Sequence, residues 1–180
     1  MKKYLFILMA AIAFVACNDD EATPNNPGDN SQERTIKTVD ETPAQVEAFF
    51  SDVNTAMWVN RKILGFTYRK NEICIINSQE ELSNLYNGDK PLPEIDFSKY
   101  TLLVGHVLAA HSGHLLERTE LTEKDGSLTL YVYIRALDEG LAVITPILYW
   151  GLYPKLSQKE INVVPLTADG KACDTRDTTL

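Results

Sequence analysis

The chain of 180 residues is 44% hydrophobic and 23% charged, with a formal net charge of −8 at pH 7. That composition fits one globular domain with a sizeable core, and excludes a wholly disordered or membrane-embedded chain. An acidic surface repels phosphate backbones, so nucleic-acid binding is excluded as well.

Met1-Lys2-Lys3 is basic, Tyr4 to Val15 is apolar, and Ala16 is small. These are the regions of a secretory signal peptide. The apolar run is about a dozen residues, whereas a spanning helix needs ~20. Val15-Ala16-Cys17 resembles the lipobox of bacterial lipoproteins, with Phe14 where Leu is usual. The resemblance implies cleavage after residue 16 and acylation of Cys17; the alternative is a plain secretory peptide with Cys17 as an ordinary thiol. Asn18-Asp19-Asp20-Glu21 is similar to the acidic segments that send some Bacteroides-type lipoproteins to the cell surface. The expected location is the cell envelope, lipid-anchored to the outer membrane on its periplasmic or surface-exposed face. Losing residues 1–16 removes Lys2 and Lys3 and no acid, so the charge moves from −8 to about −10. Residues 17–35 hold Pro24, Pro27 and many Asn and Asp without apolar periodicity, which predicts a disordered tether. Residues 36–180 are then a single β-rich domain.

From Pro43 onward Val46, Phe49, Phe50 and Val53 recur at helical spacing, one face of a short helix. Met57 to Tyr68 leads toward strand character, and Glu72–Ile76 has the length and apolarity of a strand. Ser78 and Glu81 form an S-x-x-E capping box for a second helix that buries Leu82 and Leu85 and ends at Asn87-Gly88. Pro91 to Phe97 is an extended connector. Thr101 to Ala110 carries Leu102, Val104 and Leu108 on one face and Leu103 and Val107 on the other, the signature of a central strand covered twice. Asp125-Gly126 between alternating segments predicts a two-residue hairpin loop. That loop sets Leu121 opposite Leu130 toward the core, with Arg118 opposite Tyr133 and Glu120 opposite Tyr131 outside. Val143 to Pro154, with Pro146 and Pro154, reads as an edge strand plus an ordered loop. Ile161 to Leu166 is a last strand, and 167–180 a polar tail. The fold class is mainly β (α+β), an antiparallel β-sandwich or open barrel with two short helices.

His106, His111 and His114 suggest zinc. Strand geometry places His106 ~17 Å from His111, and no carboxylate is spaced to complete a shell, so neither a metal nor another cofactor is expected. His106 reads as a hydrogen-bonded, semi-buried histidine. Ser112 lies in Ala110-His111-Ser112-Gly113-His114, a strand-to-strand turn and not the strand-to-helix elbow of hydrolases, so no catalytic residue is expected. Cys74 and Cys173 are an even pair for an oxidising compartment; they are either a disulfide or, for Cys74, a buried thiol. Tyr131 and Tyr133 with Arg118 on the outer face, and Tyr149, Trp150 and Tyr153 in a Pro-bracketed segment, are either a binding surface or simple packing.

Ser78 to Leu82, Leu92 to Ser98, the long apolar strand, the Ser-Gly turn, the Asp125-Gly126 hairpin and Val163-Val164-Pro165 follow one another in an order similar to the PrcB-like C-terminal domain. That family is named for a lipoprotein that associates with and stabilises a bacterial surface protease complex. The resemblance spans about 72–166. Where the family usually reads Thr-Gly-Gly-Tyr, this chain has Ser112-Gly113-His114, which marks the turn as a specificity loop. The resemblance implies a non-enzymatic, protein-binding module with a protease or envelope complex as partner. A carbohydrate- or peptide-binding surface lipoprotein with an aromatic platform is the alternative. The partner-facing residues expected are Ser112, Gly113, His114, Arg118, Tyr131, Tyr133, Tyr149, Trp150 and Tyr153.

Overall fold

The computed structural model describes residues 33–57, 59–68, 70–110, 112–137, 141–157 and 160–173. Cys17, the signal segment and most of the tether lie outside them, as do Trp58 and His111. The elements follow in the order β1 (Arg34–Ile36), α1 (Ala44–Met57), β2 (Glu72–Ile76), α2 (Gln79–Leu85), β3 (Tyr100–Ala109), β4 (His114–Lys124), β5 (Ser127–Ala136), β6 (Thr145–Pro154) and β7 (Ile161–Thr167).

β3 is the middle strand of the middle layer, which explains why its residues from Thr101 onward are all buried. Its sheet runs β2-β3-β6, antiparallel throughout. One face carries Leu102 and Val104, with Leu148 and Leu152 of β6, against the buried stripe Val46, Phe49, Phe50, Val53 and Met57 of α1 and Leu82 and Leu85 of α2. The other carries Leu103, Val107 and Ala109 against Leu121 of β4 and Leu128, Leu130, Val132 and Ile134 of β5. The molecule is therefore mainly β with two helices: a four-stranded and a three-stranded sheet stacked as an open sandwich, with helices on the outer face of the smaller sheet.

The second sheet runs β1-β4-β5-β7. Its hairpin has the expected register, Leu121 opposite Leu130, Glu120 opposite Tyr131 and Arg118 opposite Tyr133. Asp125 (φ 52°) and Gly126 (φ 76°) both take the left-handed conformation that a tight hairpin turn requires. The ladder shifts by one residue between Leu116 and Arg118, leaving Glu117 as a bulge. β7 pairs with β5 in parallel, so the sheet is not purely antiparallel. The chain reaches β7 by way of β6 in the other layer, a route that periodicity alone does not encode.

Local chemistry accounts for the ends of α2. Ser78 Oγ accepts from the Glu81 N–H at 3.1 Å, and the Glu81 carboxylate accepts from the Asn77 N–H at 2.5 Å. The helix stops one residue earlier than Asn87-Gly88 implied. Tyr86 turns extended at φ −93° and forms an isolated bridge to Leu64, the one piece of strand pairing among the described residues of the 57–68 segment.

Two further expectations are corrected, and one open alternative is decided. β1 begins at Arg34, inside the stretch assigned to the tether, and its guanidinium pairs with Glu123. β6 is an edge strand as expected, but it runs unbroken from Thr145 to Pro154 with no separate loop; its prolines sit near its two ends, where a missing N–H costs least. Cys74 and Cys173 form no disulfide. Cys74 packs against the helix-side core and Cys173 against the core between the sheets, so the middle layer separates them.

Candidate functional site

The turn between β3 and β4 is tied to the connection between β5 and β6. Ser112 N–H donates to the Leu141 carbonyl at 3.0 Å, while Ser112 Oγ accepts from the Leu141 N–H at 3.0 Å. The Leu137 N–H donates to the Gly113 carbonyl at 2.6 Å. Ser112 is thus a clasp, a structural use of the Ser-Gly pair that a turn favours.

The clasped loops hold apolar side chains in solvent. Leu115, Leu116, Leu137, Leu141, Val143 and Ile144 are between 37% and 76% exposed. All lie at the same end of the sandwich, where β4 begins, β5 ends and β6 begins. Scattered exposed leucines are ordinary, but a grouping of this kind marks an interaction site.

A groove opens beside this patch, with a cavity of about 140 Å³. Leu115 and Leu116 of β4 form one wall, Pro146, Ile147 and Leu148 of β6 the opposite one, and Asn54, Met57 and Arg61 at the end of α1 close it. His114 and Thr145 sit on its rim, and the Thr145 hydroxyl donates to the Val143 carbonyl at 3.2 Å. Arg61 is exposed, and among the described residues no carboxylate lies within ion-pair distance of it. The groove therefore offers shape, apolar surface and a cation.

The nine residues expected to face a partner divide into three groups. Of Ser112, Gly113 and His114 only His114 lines the groove; Ser112 is the clasp in the turn behind it, and Gly113 is buried, which corrects its expected place facing a partner. Arg118, Tyr131 and Tyr133 share the outer face of the β4–β5 hairpin, where Arg118 and Tyr133 engage one another. The Arg118 guanidinium lies 3.6 Å from the Tyr133 ring centre, and the Tyr133 hydroxyl donates to Glu120 at 3.4 Å. Tyr149, Trp150 and Tyr153 correct the expectation of an aromatic platform. Tyr149 and Tyr153 are 1% and 2% exposed between the sheets, and Trp150 stacks on Phe50 at 4.8 Å beneath α1. The reason is layering: β6 is an edge in its sheet, yet both its faces are covered, so its aromatics are core.

His106 and His114 are placed apart. His114 is at the groove, whereas His106 points into the helical layer between Phe66 and Tyr68, at 4.9 and 4.8 Å from their rings. His106 is fully buried, and neither ring nitrogen has a hydrogen-bond partner, which overturns the half-buried, bonded histidine expected from sequence. Burial lowers its pKa from 6.5 to about 4, against the opposing pull of the Glu72 charge. Tyr68, which covers it, takes φ 54° and also buries a hydroxyl without a partner. Burial and Glu72 together raise that phenol to about 12.

Sequence reasoning missed Arg61, Met57 and the exposed Leu137, Leu141, Val143 and Ile144. A signal for the last four was present: Leu137, Leu141, Val143 and Ile144 flank the Asp138-Glu139-Gly140 break, where a connecting loop would ordinarily be polar. No protein-family model, no curated protein and no solved structure matches this chain.

Proposed function

We propose that this chain is a lipid-anchored module of the cell envelope that binds a protein partner through the apolar end of its sandwich. The observation that carries this reading is the exposed surface of Leu115, Leu116, Leu137, Leu141, Val143 and Ile144 beside a groove. Desolvating such a patch favours association by about 25 cal/mol per Å² before ordering costs. The groove's chemistry favours binding over catalysis, since its threonine hydroxyl is committed to a carbonyl and its remaining lining is mostly aliphatic. The likeness to the PrcB-like domain supports a surface protease complex as the partner class.

Affinity capture from envelope extracts, with the wild-type chain and with Leu116→Asp and Leu141→Asp, tests the site. The expected result is loss of most of the wild-type-captured species at unchanged far-ultraviolet circular dichroism and melting temperature. Identical captured sets from wild type and both variants would sink the assignment of this end as the site.

The anchor is tested separately. Cys17→Ser is expected to abolish palmitate labelling and to shift the chain from the membrane pellet to the soluble fraction, because several acyl chains are needed for firm retention. Among the described residues no helix is long and apolar enough to cross a membrane. Pellet association unchanged in Cys17→Ser would remove the lipid from the reading.

A further inference from the structure

We propose that Phe66–Tyr68 is an acid-opened flap, which protonation of His106 lifts from the imidazole while both sheets stay folded. This inference stands apart from the partner assigned to the groove. The three residues belong to no helix or strand. They follow Gly65, whose N–H donates to the Leu85 carbonyl at 2.8 Å. Phe66 and Tyr68 lay their rings against the His106 imidazole, which has no exposed surface.

One latch holds the flap down. The Glu72 carboxylate accepts from the Thr67 N–H at 3.0 Å and from the Thr67 hydroxyl. Among the described residues no other hydrogen bond ties these three residues to the domain. Opening also relieves two features of the closed form. Tyr68 holds φ 54°, unfavourable for a side chain of its size, and its hydroxyl is buried without a partner. Segments with few bonds and local strain are those that open while the rest of a domain stays closed.

Glu72 is also the register partner of His106 across β2 and β3. Latch and proton site therefore share one carboxylate. An imidazolium formed under the closed flap competes with Thr67 for Glu72, so protonation weakens the latch. Left unpaired, the same charge is buried at high cost. The other groups around the ring supply no substitute anion. The Tyr68 phenol is raised to about 12 and stays neutral in acid. Cys74, next along the same face of β2, is a thiol whose pKa burial and Glu72 raise. Lys70 is exposed, β6 presents Leu148 opposite His106, and α1 presents its apolar stripe.

Under the flap the imidazole titrates near 4, and once hydrated it returns to 6.5. The open form thus takes up the proton first, and the ratio of open to closed flap rises as pH falls from 6.5 to about 4. Between pH 7 and pH 5 that rise is about twentyfold. Leu148 is also a wall of the groove, so each opening extends the groove across β6 toward His106.

Amide hydrogen exchange on the full chain, corrected for intrinsic rates at each pH, tests this. The Thr67 amide reports the flap, and the amides of β3 report the sheets. Expected is a fall of about twentyfold in Thr67 protection between pH 7 and pH 5, with β3 remaining far better protected. In His106→Leu and His106→Gln, each of which removes the titrating ring, the change at Thr67 is expected to stay under about twofold. An equal fall in wild type and in either variant assigns the response to a carboxylate and overturns the proposal. So does an absence of any fall in wild type. Thr67 protection matching that of β3 at pH 5 shows the domain opening as a whole, which overturns it too. Should neither variant fold, the wild-type profile decides. A fall that starts near 6.5 and flattens near 4 supports His106, and one confined below about pH 5 overturns it.

Discussion

Gly105→Ala is expected to cost about 4 kcal/mol of stability and to lower the melting temperature by about 10 °C. Gly105 lies midway along β3, and Tyr149 of β6, its register partner, lays its ring across the glycine. The Tyr149 hydroxyl reaches β2 on the far side and donates to the Glu72 carbonyl at 3.1 Å. One side chain thus spans all three strands of the middle layer. A Cβ at 105 would come within 2.3 Å of the Tyr149 oxygen and 2.5 Å of the Glu72 carbonyl oxygen. The carbonyl is ladder backbone and cannot swing aside, so the ring must lift and lose its hydrogen bond. Tyr149→Phe alone keeps the ring and loses only that bond, for a smaller cost of about 1–2 kcal/mol. Urea unfolding of the two variants checks this. A wild-type midpoint for Gly105→Ala would mean the ring does not cover the glycine.

His106→Leu is expected to remove an acid sensitivity worth about 3 kcal/mol. In the fold the imidazole stays neutral down to about 4, while its ordinary value is 6.5. Between those two values the unfolded chain binds the extra proton. Stability therefore falls as pH drops from about 6.5 to about 4, and this contribution is flat below that. At pH 7 leucine replaces two ring nitrogens that lack partners, so the variant should be as stable as wild type or about 1 kcal/mol more so. Acid acts on carboxyl groups as well as on imidazoles, so the quantity to read is the difference between the two proteins at pH 7 and at pH 4.5. Equal losses in both would show that His106 is not the acid-sensitive group.

These two neighbours also show what the sequence does and does not reveal. The two-sided apolarity of β3 was legible because covering both faces of a strand leaves no polar alternation to confuse with anything else. The hairpin was legible for a similar reason: Asp125-Gly126 suits one turn, and that turn sets every pairing back to Arg118. The fate of Tyr149, Trp150 and Tyr153 was not. Their strand looks like an exposed edge because of its prolines, and only the presence of α1 above and β4–β5 below makes it core. The parallel placement of β7 and the three-residue pairing of β1 depend on neighbours distant in sequence, so no local pattern announces them. The candidate site follows the same logic. Its turn, Ser112 to His114, was marked by sequence, but the groove needs Arg61, Leu116 and Ile147 brought together from three separate segments. Ser112 itself has a role that sequence did not show, since its two bonds to Leu141 tie the β3–β4 turn to the segment leading into β6.

The antiparallel seating of β1 has a mechanical consequence. Arg34 lies nearest the hairpin tip and Ile36 nearer the groove, so the strand points from the arriving chain toward the apolar end. A pull between that chain and anything gripped at Leu116 would run lengthwise along β1. The three registered residues would be sheared together, with the Arg34–Glu123 ion pair sharing the load, and would not be peeled off one at a time. A domain held at one end and loaded at the other would then yield at a rate set by rupture of this short ladder, a kinetic property distinct from its equilibrium stability.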